Sequence, residues 1–145
     1  MTPMSSRLAT VAPDLVPHLN SRSEGELRTV AAVVAREAVA LTGLDDPLVA
    51  SALDQIGTGE PGMSARVQEV ADRLDQVAWD IQDAEDGHDS ERYIAAFRRA
   101  RAASAVAFAL DPDSGSLLES IYEAQAALGS IAAARRLIEP LLTDD

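Results

Sequence analysis

The chain has 145 residues, a formal net charge of −12 at pH 7 and no cysteine, and only 3% of its residues are aromatic although 47% are hydrophobic. A chain of this length buries roughly 70% of the surface that its unfolded form exposes, which is enough for one hydrophobic core. The absence of cysteine excludes disulfides, thiolate zinc sites and a thiol nucleophile, and the negative charge disfavours nucleic acid and anionic membranes as partners.

The composition predicts an all-α protein. Strong helix formers such as Ala, Leu, Arg and Glu are abundant, whereas β-branched and aromatic residues are sparse apart from Val. We expect a single helical domain over residues 1–145, built as a compact array of about six or seven helices. No stretch approaches about 18 uncharged apolar residues, and the first residues lack the pattern of a secretory signal, so a cytoplasmic protein is expected.

The first helix of substantial length is predicted after a short entry segment. Residues 5–20 contain two prolines, Pro13 and Pro17, so residues 1–22 are predicted to be irregular or to form short helical pieces. Ser23 and Glu26 match a capping box, which predicts the start of a helix over about 24–42. Gly43 then supplies the stop.

Two further helices are predicted in the middle of the chain. Asp46 before Pro47 matches an N-cap followed by proline at the first helical position, and predicts a short helix that ends at Gly57. An apolar stripe at helical spacing predicts a long helix over about 64–86. Its members are Val67, Val70, Ala71, Leu74, Val77, Ala78 and Ile81.

Three helices are predicted in the last third of the chain. Ser90 predicts the start of a helix over about 91–110, and its many small apolar residues indicate a central, buried position. Ser116 with Glu119 matches a second capping box and predicts the start of the next helix. A last helix follows and is ended or kinked by Pro140.

The single tryptophan of the chain is predicted to lie on an acidic face of the helix over 64–86. At about 100° per residue, four aspartates share its side of the helix, opposite the apolar stripe. This face comprises Asp72, Asp75, Trp79, Asp83 and Asp86. If Trp79 is exposed, an indole among carboxylates suits an Arg or Lys of a basic protein partner. Packing of another helix over Trp79 is the alternative.

Two other functions remain open. Asp80 and Asp83 have the Asp-x-x-Asp spacing that suits a cation such as Mg²⁺, and hence a small helical metal-dependent hydrolase. Such a site needs a second acidic pair on a facing helix, which the sequence does not indicate, so we expect no metal, cofactor or enzymatic activity. Alternatively, the chain is a homo-oligomeric scaffold, of which a homodimer is the simplest form. Its interface would be formed by Trp79, or by the side of the helix after Ser116 that carries Tyr122.

A structural ion pair between Glu37 and Arg101 is predicted. Arg101 projects to the same side of its helix as Ile94 and Phe97, and Glu37 lies at the edge of the apolar side of its own helix. An unpaired buried charge is strongly destabilising, so Arg101 should find a partner. The alternative role for Arg101 is to clamp the carboxylate of a ligand.

Two segments of the chain carry a resemblance to known proteins. Val30–Ile56 combines an alanine-rich helix, an Asp-Asp-Pro turn and a short second helix, and Tyr93–Leu110 is again alanine-rich. This pattern resembles helical proteins of actinobacteria and is similar to the small α-helical immunity proteins of bacterial polymorphic-toxin systems. The resemblance implies a cytoplasmic protein that neutralises a cognate toxin by binding it, and it assigns no functional residue.

Overall fold

The computed structural model describes residues 7–58, 62–85, 90–111 and 115–142, with Glu85 described by its backbone alone. These residues form eight helices and no strand, which confirms the predicted all-α class. None of these helices combines the length and the apolar character that a membrane-spanning helix needs. The helices are α1 (Leu8–Val11), α2 (Leu15–Asn20), α3 (Glu24–Thr42), α4 (Pro47–Leu53), α5 (Met63–Glu85), α6 (Glu91–Leu110), α7 (Gly115–Leu128) and α8 (Ile131–Leu142).

Both ends of α3 are fixed by local hydrogen bonds and backbone geometry. The Ser23 hydroxyl accepts a hydrogen bond from the Glu26 backbone N–H at 3.1 Å, and the Glu26 carboxylate accepts one from the Ser23 N–H at 3.3 Å. Gly43 follows the helix with a φ of 69°, a left-handed conformation that glycine adopts without strain. The predicted capping box and the predicted helix over 24–42 are confirmed.

Some predicted helix ends are wrong. The helix that begins at Pro47 ends at Leu53 and not at Gly57. The helix that Ser116 was expected to cap already begins at Gly115, so Ser116 is a helical residue and not a cap. Glu119, the other half of that pattern, instead forms an ion pair with Arg7. Of the two predicted effects of Pro140, ending the last helix is wrong, because α8 continues past it to Leu142. The hydrogen bond that proline cannot donate is lost only in the last turn of the helix.

The centre of the fold is α6, which packs against α3, α5 and α7 as its composition predicts. Near the start of α5, the Ser64 hydroxyl donates a hydrogen bond to the Ala107 carbonyl near the end of α6 at 2.7 Å, so these two helices run antiparallel. The buried residues of α6 are nearly all small, which lets neighbouring helices approach closely. They are Ala96, Ala100, Ala102, Ala103, Ser104, Ala105, Val106, Ala107 and Ala109.

The core of the described residues contains no aromatic side chain. Leu, Val, Ile, Ala and Met63 fill it. All five aromatic residues of the chain are described by the structure, and every one retains exposed surface. They are Trp79, Tyr93, Phe97, Phe108 and Tyr122. Aromatic side chains normally dominate core packing. Here four of the five are partly buried and Trp79 is exposed, so Trp79 on α5 is the ring that calls for a functional explanation.

Candidate functional site

Trp79 lies on α5 with 57% of its surface exposed. Asp72 lies seven residues before it and Asp83 four residues after it, which places both on the same side of the helix, and both are exposed. The Gln68 amide donates a hydrogen bond to Asp72 at 3.1 Å. No ion pair joins Asp72 or Asp83 to any residue that the structure describes. The indole is therefore accessible and has two carboxylates on its side of the helix.

Asp75 has a different environment from the other members of the predicted acidic face. It is only partly exposed, and its carboxylate accepts hydrogen bonds from Nη2 of Arg101 at 2.7 and 2.6 Å. Asp75 is rotated by about 40° from Trp79 around α5, far enough for an arginine of α6 to reach it. Asp86 lies outside the described residues. In the structure, the acidic surroundings of Trp79 therefore consist of Asp72 and Asp83.

Arg101 of α6 bridges α5 and α7. Besides its hydrogen bonds to Asp75, it donates through Nη1 to Oε2 of Glu123 at 2.9 Å, and its guanidinium lies 5.5 Å from the centre of the Phe97 ring. The side chains of Arg101 and Glu123 are only 17% and 3% exposed. Burial alone would lower the pKa of Arg101, but the carboxylates of Glu123 and Asp75 outweigh burial and hold that pKa above its ordinary value.

The predicted ion pair between Glu37 and Arg101 is wrong. Glu37 is exposed on α3, whereas the guanidinium of Arg101 is held by carboxylates from α5 and α7. The expectation that a partly buried Arg101 needs a partner is met, but by different residues. The pattern of a single helix shows which face is apolar and does not show which neighbouring helices pack beside that face.

Glu123 is also bound by Arg7, which precedes α1. Arg7 donates through Nη2 to Oε1 of Glu123 at 2.8 Å and through Nε to Oε2 of Glu119 at 2.7 Å. The guanidinium of Arg7 also lies 4.6 Å from the centre of the Tyr122 ring. Burial would lower the pKa of Arg7, but hydrogen bonds to Glu119 and Glu123 raise that pKa above its ordinary value. Sequence reasoning missed this contact because its residues lie at opposite ends of the chain.

The pair Asp80 and Asp83 is not arranged as a metal site in the described part of the chain. Both residues are exposed on α5, and Asp80 accepts a hydrogen bond from the Gln76 amide at 3.0 Å. Among the described residues, no three His, Cys, Asp or Glu side chains are grouped closely enough to hold a metal ion. The second acidic pair that the hydrolase alternative requires is therefore absent from the described residues.

Several aromatic side chains lie close to the ion pairs that Arg101 and Arg7 form. The rings of Tyr93 and Phe97 stack at 6.0 Å with an angle of 29° between their planes, and Phe97 lies beside Arg101. Trp79 follows Asp75 by one helical turn, and Tyr122 precedes Glu123 directly. Trp, Tyr and Arg are the residue types most enriched at the centres of protein interfaces. Among the described aromatic residues, the exposed Trp79 is the feature that best indicates binding.

The site thus has two zones, one on α5 and one on α7, and the ion pairs of Arg101 join these two helices. One zone is the exposed Trp79 with its two aspartates, and the other is the Arg7 guanidinium held by Glu119, Tyr122 and Glu123; Arg101 lies between them. Comparison with models of protein families, with curated proteins and with solved structures finds no match for this chain.

Proposed function

We propose that this chain is an acidic protein-binding module, and that it engages a basic protein partner through Trp79 and the neighbouring Asp72 and Asp83. The observation that supports this most strongly is the 57% exposure of the only tryptophan in the chain. An exposed indole loses unfavourable contact with water when a partner covers it. An arginine or lysine above its ring gains a cation–π contact, and the two carboxylates add charge pairing.

The charge of the molecule supports a cationic partner. The chain carries a formal net charge of −12, and α5 contributes four exposed acidic side chains, Glu69, Asp72, Asp80 and Asp83. Such a field speeds the encounter with a cationic protein and repels anionic ones, and its effect weakens as salt concentration rises. Binding of the partner should therefore be strongly salt-dependent.

The biological form of this proposal is an immunity-like or regulatory protein that acts in the cytoplasm. The resemblance of Val30–Ile56 and Tyr93–Leu110 to immunity proteins of polymorphic-toxin systems makes a basic toxin one candidate for the partner. A regulatory protein that holds a basic partner through the same surface has the same physical requirements. Both forms need an accessible Trp79 and both give the same prediction for substitutions around it.

Affinity capture with matched variants tests the proposal. Trp79→Ala removes the ring, Asp72→Asn with Asp83→Asn removes the charges beside it, and Glu37→Gln with Asp45→Asn removes two exposed charges elsewhere. Each protein is immobilised and exposed to an extract of cells that produce the chain, and binding of the captured basic protein is then measured with purified components. Trp79→Ala should weaken that binding by at least about 2 kcal/mol, or roughly 30-fold.

The control variant should bind like the wild type, and the Asp72→Asn, Asp83→Asn variant should bind more weakly and with a flatter salt dependence. Equal capture and equal affinity for all four proteins, at low and at high salt, would contradict the proposal.

A further inference from the structure

We infer that Glu119, Tyr122 and Glu123 form a guanidinium pocket, which Arg7 fills in the free chain and which an arginine side chain of the partner fills in its place on binding. The inference rests on the proposed function, because it names the side chain of the basic partner that the surface takes up. It adds a second contact point, on α7, to the one around Trp79 on α5.

The geometry of the pocket suits a guanidinium better than an ammonium group. Two carboxylates accept hydrogen bonds from different nitrogens of Arg7, Glu119 from Nε at 2.7 Å and Glu123 from Nη2 at 2.8 Å. The Tyr122 ring lies 4.6 Å from the central carbon of the same guanidinium. A planar, forked group satisfies both carboxylates and covers the ring at once, whereas the compact ammonium of lysine does not have this shape.

The pocket does not depend on the side chain of Arg7 alone, because Glu119 also accepts a hydrogen bond from the Arg7 backbone N–H at 3.4 Å. Its three residues lie on a single helix, α7, so their spacing is set by that helix. Glu123 divides its two oxygens between two arginines: Oε1 accepts from Arg7, while Oε2 accepts from Arg101 at 2.9 Å. When Arg7 leaves, Arg101 still orients Glu123. A preformed site of this kind loses little conformational entropy when it takes up a ligand.

Arg7 is the part of this arrangement that can be exchanged. Its side chain is 50% exposed, and it precedes the four-residue helix α1. Leu8 and Ala12, which are fully buried, fix that segment to the core. Arg7 can therefore swing away from α7 while α1 stays packed. In the free chain it competes with an incoming arginine and lowers the apparent affinity of the pocket.

A small arginine probe tests the pocket in the full-length protein. Arg7→Ala empties the pocket, and Arg136→Ala is the matched control, since Arg136 is an exposed arginine on α8. Each protein is titrated with N-acetyl-arginine amide and with N-acetyl-lysine amide, while the backbone amide signals of Glu119 and Tyr122 are followed by NMR. The arginine probe should bind Arg7→Ala at least about tenfold more tightly than it binds the wild type or the control. The lysine probe should bind all three proteins weakly.

A second variant checks that the probe binds at Glu119, and a second measurement covers the case in which Arg7→Ala is partly unfolded. Adding Glu119→Gln to Arg7→Ala should abolish the response to the arginine probe. If Arg7→Ala alone lowers the folded fraction, the arginine probe should raise its melting temperature with increasing concentration, and the lysine probe should not. A folded Arg7→Ala variant without signal changes at Glu119 and Tyr122, or an unfolded one that the arginine probe does not stabilise, would overturn the inference. An equal response to both probes would also overturn it.

The test separates this inference from the proposed function, since the amide signals of Glu119 and Tyr122 report on α7 and not on the surroundings of Trp79 on α5. If the Arg7→Ala variant does not bind the arginine probe but the basic partner still binds in a Trp79-dependent way, only the inference of the pocket is overturned. Partner binding that is insensitive to Trp79→Ala overturns the proposed function, and the response of the pocket to the arginine probe is then unchanged.

Discussion

Arg101 joins three helices through one guanidinium group. It extends from α6, and its hydrogen bonds reach Asp75 on α5 and Glu123 on α7. Its Nε atom is buried and has no acceptor among the described residues. Taking these charges out of water is unfavourable, and their mutual attraction offsets that cost only while every partner is in place. The removal of one partner should therefore destabilise the fold more than the count of its hydrogen bonds suggests.

Arg101→Met tests this arrangement. The substitution keeps much of the apolar stem but leaves Asp75 without its partner and Glu123 with Arg7 alone. We expect the free energy of unfolding, measured by urea denaturation, to fall by about 3 kcal/mol. Glu37→Gln, at an exposed position on α3, should change it by less than about 0.5 kcal/mol. Equal stability of Arg101→Met and the wild type would show that the bridge between α5 and α7 contributes nothing.

Part of the candidate site could be predicted from the sequence, and the reason is geometric. The direction of Trp79 relative to Asp72 and Asp83 depends only on the periodicity of one helix, and the structure places these residues as that periodicity predicts. The partners of Arg101 and the contact of Arg7 with Glu119 depend on how separate helices pack. The latter pair is 112 residues apart in the chain, and no local pattern encodes such a contact.

At the level of helices, the two glycines associated with α3 have opposite effects on the free energy of unfolding. Gly43, just after the helix, has a φ of 69°, and a side chain there would meet no atom within 4 Å. Its substitution is therefore costly only because of the backbone conformation. Gly25 lies in the first turn of α3, where glycine loses more conformational freedom on folding than alanine does.

Gly43→Ala should lower the free energy of unfolding by about 1 kcal/mol, because alanine is strained in the left-handed conformation. Gly25→Ala should raise it by about 0.5 kcal/mol, since its added Cβ would meet nothing closer than the Ser23 hydroxyl at 4.0 Å. Urea denaturation of the two variants beside the wild type gives both values. The same sign of change for both would contradict the assignment of Gly43 as the left-handed end of α3.

The capping box of α3 makes part of the stability pH-dependent. The backbone N–H of Ser23, and then its hydroxyl, hold the pKa of Glu26 below its ordinary value of 4.5. A carboxyl group with a lowered pKa in the folded chain stabilises that chain above the unfolded pKa. This contribution is lost as pH falls through the folded pKa.

Glu26→Gln should therefore be less stable than the wild type at neutral pH. The difference should shrink at a pH below the folded pKa of Glu26, where the wild-type side chain is protonated and also neutral. Urea denaturation at both pH values measures the two differences. If Glu26→Gln is less stable than the wild type by the same amount at both pH values, the charge of Glu26 does not contribute to stability through the cap.

The ends of helices follow from the sequence when a cap and its partner are close neighbours. Ser23 with Glu26, Asp46 before Pro47, and Ser90 all cap as predicted. Ser116 does not cap, because α7 already begins at Gly115. Its expected partner, Glu119, forms an ion pair with Arg7 from a distant part of the chain.

For the molecule as a whole, composition predicts the fold class and a core of small aliphatic side chains. An alanine-rich chain with few aromatic residues packs helices closely around α6, and its aromatic residues all keep exposed surface. The composition does not predict that Arg101 joins α6 to α5 and α7, or that Phe97 lies beside its guanidinium. That outcome depends on which helices lie side by side, and the apolar pattern of each single helix does not predict this.

The overall charge and the position of Trp79 together define the expected partner. A net charge of −12 attracts cations to the surface in general. Asp72 and Asp83 raise the local concentration of cations beside the exposed ring on α5. A cationic quencher should therefore reach Trp79 more readily than an anionic quencher, and neutralisation of the two aspartates should reduce that preference.

Fluorescence quenching of Trp79 by caesium and by iodide measures exposure and local charge at once, because the chain contains a single indole. We expect emission close to that of free indole in water. Relative to free indole, caesium should quench more strongly than iodide, and Asp72→Asn with Asp83→Asn should reduce the difference. Blue-shifted emission that neither ion quenches would mean that Trp79 is covered in solution, and would contradict the binding surface on which the proposed function rests.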